Sequence, residues 1–166
     1  LKVAFFHGAV DSSMTDGGFK VTNLNHGIGM FSGYDLVLLG DIHKHQYLDV
    51  DKRVHYPGSL VQQNFGEAYE NHGYTIWNTT DLSSSFTHIH NNHGFYTIDI
   101  VDGVLPSIKT IPRFPRLRIR TTNTTEAELK TLLKTVRKKA TFADAMVIKL
   151  DKVAGSASNK TSKALV

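Results

Sequence analysis

The sequence contains no cysteine, which excludes disulfide cross-links and thiolate metal sites and leaves packing and hydrogen bonding to hold the fold. It has no apolar run long enough to span a bilayer and no secretory pattern at its start, so no membrane partner is expected. The lack of thiols fits an intracellular place of action: cytoplasm, nucleus, or an infected cell if the protein is viral. Acidic residues are nearly missing from one stretch. Between Lys109 and Lys139 only Glu126 and Glu128 oppose ten lysines and arginines. All nine histidines lie at or before His93. A histidine-rich part able to hold cations therefore precedes a basic part able to hold phosphates. At 166 residues the chain has room for one medium domain or a domain and a half, with enough apolar content for a core.

The most informative segment is Asp35-Leu36-Val37-Leu38-Leu39-Gly40-Asp41-Ile42-His43. Its apolar run reads as a strand buried on both faces, and extended backbone would place Asp41 and His43 on one side. Gly40 permits a sharp turn where a side chain would crowd the site. The same design occurs in Lys2-Val3-Ala4-Phe5-Phe6-His7-Gly8. His7, Asp41 and His43 are thus expected to converge at one sheet edge as metal-ligand types. The glycine-rich excursion from Asp11 to Gly33 predicts turns near that edge.

Further strands are predicted at Val54–Tyr56, Tyr74–Trp77, Phe86–His90 and Tyr96–Val101, with Asp102-Gly103 as a hairpin turn into Ile108–Ile111. Pro112 and Pro115 then interrupt the pattern. In Arg116-Leu117-Arg118-Ile119-Arg120 the alternation puts three guanidinium groups on one strand face, where DNA phosphates or internal carboxylates must offset their repulsion. Thr125-Glu126-Ala127-Glu128 has the form of a capping box, and Leu129, Leu132, Leu133, Val136 and Ala140 share one helix face. Ala145–Leu150 returns as a strand, and the Ser-, Ala- and Lys-rich end is expected to be mobile.

His7-Gly8, Gly40-Asp41-Ile42-His43-Lys44-His45-Gln46, Tyr56-Pro57-Gly58-Ser59-Leu60, Phe65-Gly66-Glu67 and Gly73-Tyr74 match, in order and spacing, the later motifs of a known group. They resemble calcineurin-like metallophosphoesterases, and within them the DNA double-strand-break repair nuclease subunit that partners an SMC-like ATPase in SbcCD-type complexes. The likeness runs from residue 1 to about residue 150. It implies an α/β (α+β) fold: the later half of a metallophosphoesterase β-sandwich flanked by helices in residues 1–112, a strand-helix-strand cap in 113–152, and a tail in 153–166.

The resemblance also implies two-metal phosphodiester hydrolysis, with His7 and Asp41 serving one cation and His43 the other. Mn2+ suits the imidazole and carboxylate donors, and Mg2+ or Zn2+ are also compatible. His45 and Ser59 are candidates for supporting a ligand or touching phosphate, and Arg116, Arg118 and Arg120 for contacting DNA. The family usually has histidine where this chain has Asp41. No counterpart of its earlier D-x-H, G-D-x-x-D and G-N-H-[D/E] motifs precedes His7, so the chain is expected to be the carboxy-terminal part of a longer protein. The bridging carboxylate, the leaving-group histidine and a homodimer interface would belong to the upstream part. Two other readings remain: a metallophosphatase acting on a phosphoprotein or small phosphoester, and a non-catalytic module that binds DNA or a partner.

Overall fold

The computed structural model describes residues 1–22, 25–108, 111–140, 145–150 and 164–165, the last two segments as backbone. The expected tail at 153–166 falls almost wholly outside the described residues. The fold is mixed α/β and forms two compact units, Leu1–His90 and Asn91–Val166.

In the first unit, β1 (Val3–His7), β2 (Leu36–Gly40), β3 (Gln46–Tyr47) and β4 (Val54–Tyr56) form one sheet in the order β1-β2-β4-β3. β1 pairs parallel to β2, β2 parallel to β4, and β3 antiparallel to β4. Leu36, Val37 and Leu39 are buried although they alternate sides, as expected for a strand covered on both faces. Around them pack Val10, Phe31, Ile42, Val54 and Tyr56. Among the described residues, the only helical segment of this unit is a 3-10 turn at Ile28–Phe31, not the flanking helices expected. Its Phe31 ring meets Phe6 edge-on at 5.7 Å and joins the core.

A two-stranded antiparallel sheet, β5 (Gly73–Trp77) with β6 (Ser84–His88), completes the first unit. Gly73 cannot carry a side chain, because a Cβ there would fall 2.1 Å from the Thr87 carbonyl oxygen. These strands help enclose a nest of rings. His55 of β4 is fully buried, with Tyr47 at 4.6 Å, His45 at 5.1 Å and Trp77 at 5.5 Å between centroids. His45 lies 4.1 Å from Phe86. His55 Nε2 meets the Thr75 hydroxyl at 3.3 Å, but among the described residues His55 Nδ1, His45 Nε2 and Trp77 Nε1 are buried without a hydrogen-bond partner.

In the second unit, β7 (His93–Val101), β8 (Phe114–Thr122) and β9 (Ala145–Leu150) run parallel, and β10 (Ala164–Leu165) pairs antiparallel to β9. Helix α1 (Glu126–Lys139) connects β8 to β9 and contributes Leu129 and Val136 to a core with Ile98, Ile100, Leu117 and Ile119. Its capping box forms: the Glu128 amide donates to the Thr125 hydroxyl at 3.3 Å, and the Glu128 carboxylate accepts from the Thr125 amide at 2.9 Å. The Thr125 amide, and its hydroxyl at 2.7 Å, both donate to the Glu128 carboxylate and hold it below its usual range.

The expected hairpin is only half right. Asp102 and Gly103 turn with positive φ (51° and 69°), but a single Val101–Val104 bridge follows, with no strand at Ile108 or Ile111. Lys109 and Thr110 lie outside the described residues. Pro106 lacks the amide a returning ladder would need, whereas β7 pairs with β8 over nine residues. That pairing also moves the division between compact units to His90/Asn91, upstream of the expected junction at residue 112.

Enclosure among rings, reinforced by the nearby His45, lowers the His55 imidazole to about 4, against an ordinary value of 6.5. On acidification the unfolded chain therefore takes up this proton first. The associated stability is present above pH 6.5, is lost as pH falls towards about 4, and amounts to roughly 3 kcal/mol. Urea unfolding at a series of pH values should show this loss in the unsubstituted protein and a much flatter profile in His55→Phe. An equally steep loss in the variant would refute the assignment.

Candidate functional site

Parallel pairing sends the ends of β1 and β2 to the same edge, where His7 lies in register with Gly40. The His7 ring lies directly over that glycine: a Cβ at residue 40 would fall 2.8 Å from His7 Cδ2. Asp41 follows at φ 90°, a left-handed conformation that a non-glycine residue adopts only under constraint. Ile42 anchors the turn in the core, and His43 emerges beyond it.

Tyr56 fixes the loop after His7. Its buried hydroxyl donates to the Gly8 carbonyl at 2.7 Å and accepts from the Val10 amide at 3.0 Å. Burial pushes this phenol above its ordinary value and the Asp41 charge adds to the rise, while the Val10 and Ser13 contacts oppose it. The Pro57-Gly58-Ser59 turn braces the other side. Gly58 (φ 81°) lies so close to the backbone of residues 43–45 that a Cβ would fall 2.7 Å from the His43 carbonyl oxygen. The Ser59 amide donates to that same oxygen at 3.1 Å.

Asp41 and His43 line a cavity of about 320 Å³ together with Thr15, Asp16, Asn64 and Glu67. Part of the glycine-rich excursion thus does approach this edge, through Thr15, Asp16 and Gly17. Glu67 places Oε1 2.9 Å from His43 Nδ1, and its side chain is only 6% exposed against 45% for His43. The Gln63 amide donates to the same carboxylate at 2.7 Å and Asn64 Nδ2 at 2.5 Å.

The sequence-predicted residues divide accordingly. His7 and Asp41 come to one edge, and Asp41 and His43 share the cavity rim, but His7 is not among the cavity-lining residues. Among the described residues no three His, Asp or Glu side chains form a group able to hold one metal ion. Imidazole and carboxylate are donor types compatible with Mn2+, Mg2+ or Zn2+.

His45, a candidate to support a ligand or touch phosphate, is not among the cavity-lining residues that include His43. The positive φ at Asp41 and the bends that follow break the extended geometry, and His45 turns into the ring nest. Burial first, and His88 second, lower its imidazole. His88, on β6, is thus close enough to act on His45. The Ser59 hydroxyl pairs with His72 Nδ1 at 3.0 Å, so Ser59 supports His43 through its backbone alone. Gln62 is buried and donates to the Glu67 carbonyl at 2.8 Å. Glu67, Asp16 and Tyr56 join the site without a role that the sequence motifs assign. The signal for Glu67 was present, as an acidic residue closing the short turn Asn64-Phe65-Gly66-Glu67.

In the second unit the arginines do share one face of β8, and Leu117 and Ile119 are buried on the other. Each meets its register partner on β7. Arg116 lies over the Phe95 ring at 5.5 Å, and Arg118 Nε donates to Thr97 Oγ1 at 3.1 Å. Arg120 grips Asp99 through two bonds of 2.5 and 2.7 Å. Those bonds, with the Arg118 charge, hold the Asp99 carboxyl below its usual range. An internal carboxylate therefore offsets part of the repulsion along this face.

No family model matches the chain. It is 36% identical over 137 residues to a protein of Acanthamoeba polyphaga mimivirus named "Uncharacterized protein R555". The match covers 82% of this chain and 10% of that protein, so the chain spans about a tenth of its relative's length. No described helix is long and apolar enough to cross a membrane.

The left-handed backbone at Asp41 separates local strain from chemistry. Glycine adopts it freely, whereas alanine keeps the Cβ penalty of about 1–2 kcal/mol. Asp41→Gly should thus be more stable than Asp41→Ala by about 1 kcal/mol in urea unfolding, with the carboxylate removed from the cavity rim in both. Equal stabilities would show that residue 41 relaxes out of this conformation.

Proposed function

We propose that this chain is the carboxy-terminal part of a two-metal phosphodiesterase, a DNA nuclease of the SbcCD type that works with an SMC-like ATPase in double-strand-break repair or recombination. The observation that carries the reading is the rim itself. Two parallel strands end at one edge with His7 beside Gly40-Asp41, and Asp41 and His43 open onto one cavity. In this reading the later half of a metallophosphoesterase β-sandwich corresponds to the first unit. His7, Asp41 and His43 supply part of the donor set for Mn2+, with Mg2+ or Zn2+ as alternatives, and upstream residues complete it. The bound cations would polarise the phosphodiester and lower the pKa of the attacking water. Asp41 contributes a hard anionic donor where the metallophosphoesterases that the sequence resembles usually carry imidazole. Tyr56 and the Pro57-Gly58-Ser59 turn hold the two donor loops in place. The viral relative supports an infected cell as the place of action.

A non-catalytic nucleic-acid-binding role has its own support in the arginine face of β8, where Arg116 and Arg120 are exposed. A small-phosphoester or phosphoprotein substrate would need no such face.

Two measurements test the proposal. In the longer polypeptide carrying this segment, Mn2+-dependent cleavage of DNA should fall at least about 100-fold in Asp41→Ala and in His43→Ala, since each change removes a cation donor. Unchanged cleavage would refute the site. Replacing Arg116, Arg118 and Arg120 by alanine should lower the salt slope of DNA binding by about 0.9 for each phosphate that is no longer neutralised. A slope that does not move would assign the arginines to the sheet alone and favour a small phosphoester substrate.

A further inference from the structure

We infer that Glu67 is a positioning residue that fixes the imidazole tautomer of His43, so that Nε2 presents its lone pair to the cavity. A carboxylate can only accept hydrogen bonds, and Glu67 Oε1 lies 2.9 Å from His43 Nδ1. Nδ1 must then carry the hydrogen. In the neutral ring this leaves Nε2 as an electron-pair donor, the atom through which His43 can take a divalent cation. Free histidine favours the opposite tautomer, so the arrangement has to be imposed.

Several contacts impose it. The Glu67 carboxylate is withdrawn from solvent and held by the Gln63 amide and Asn64 Nδ2 as well as by His43. The turn carrying it is closed locally by the Gly66 amide, which donates to Asn64 Oδ1 at 2.7 Å. It is tied down from outside by His72, whose Nε2 meets the Ala68 carbonyl at 2.8 Å, and by the Ala68 amide, which donates to the Asp16 carboxylate. Placing a charged group under the surface costs free energy unless it is fully hydrogen-bonded, and here the donors converge on it. Among the described residues its titratable partner is His43, a ring that lines the cavity. That makes the carboxylate part of the function of the site and distinguishes it from a surface ion pair.

The inference rests on the reading of His43 as a cation donor, but its test does not. In the 166-residue chain, nitrogen-15 spectra of the histidine rings, taken where the imidazoles are neutral and without metal, should show His43 protonated at Nδ1 and bare at Nε2. Glu67→Leu should shift the ring towards Nε2–H. Glu67→Gln, which keeps an acceptor oxygen, should retain Nδ1–H. Titration with Mn2+ should broaden His43 in the unsubstituted chain, and the dissociation constant should rise about 10- to 100-fold in Glu67→Leu but only a few-fold in Glu67→Gln. An Nε2–H tautomer in the unsubstituted chain, or an unshifted tautomer in a folded Glu67→Leu protein, overturns the inference. If the leucine variant fails to fold, the unsubstituted chain and the glutamine variant still decide it. Correct tautomers without any Mn2+ broadening would uphold Glu67 as the positioning residue and count against the metal reading.

Discussion

Parallel pairing of β1 with β2 is the constraint from which the rest of the candidate site follows. In an antiparallel pair the two strand ends would point to opposite edges, and His7 could not lie beside Gly40. With the strands parallel and in register, two short apolar segments far apart in sequence deliver polar residues to one place. The close fit then makes demands on residue type. A side chain at Gly40 would displace the His7 ring, and Gly58 must lack one beneath the backbone of residues 43–45. The hydrogen bonds of Tyr56 close the remaining freedom of the loop after β1.

Histidines of the first unit serve opposite physical ends. His55 is enclosed by rings, has a nitrogen unpaired among the described residues, and is kept neutral by desolvation. His43 is half exposed, with a buried carboxylate on one nitrogen and a cavity beside it. The first arrangement makes the core sensitive to acid. The second directs a lone pair outward. Both histidines neighbour glycine-dependent turns or short strands, so the difference lies in what faces each ring nitrogen.

The second unit applies the same economy to arginine. Period-two alternation puts Leu117 and Ile119 under helix α1 and sends Arg116, Arg118 and Arg120 to the opposite face. There the parallel register with β7 matches them to an aromatic ring, a hydroxyl and a carboxylate in turn. Such a ladder stabilises the sheet and leaves two arginines exposed. Any binding of nucleic acid by them has to be measured against their role within the sheet.

The sequence by itself determined the elements whose signals are local. The apolar runs of β1 and β2, the alternation of β8 and the capping box of α1 each follow from side-chain period or from contacts a few residues apart. It also located His7, Asp41 and His43 as the polar residues at strand ends. Only the tertiary structure decided how β7 continues, because the competition between a short return after Asp102-Gly103 and a nine-residue parallel pairing depends on a strand more than ten residues away. The direction of His45 was decided the same way, since one positive φ at Asp41 cancels the side-to-side rule on which the sequence argument relied. Glu67 is the clearest case: its partner His43 lies 24 residues earlier, and no local period connects them. Residue type and spacing record what a chain can offer along itself, whereas a buried carboxylate facing a ring nitrogen exists only after the loops that carry them have been packed together.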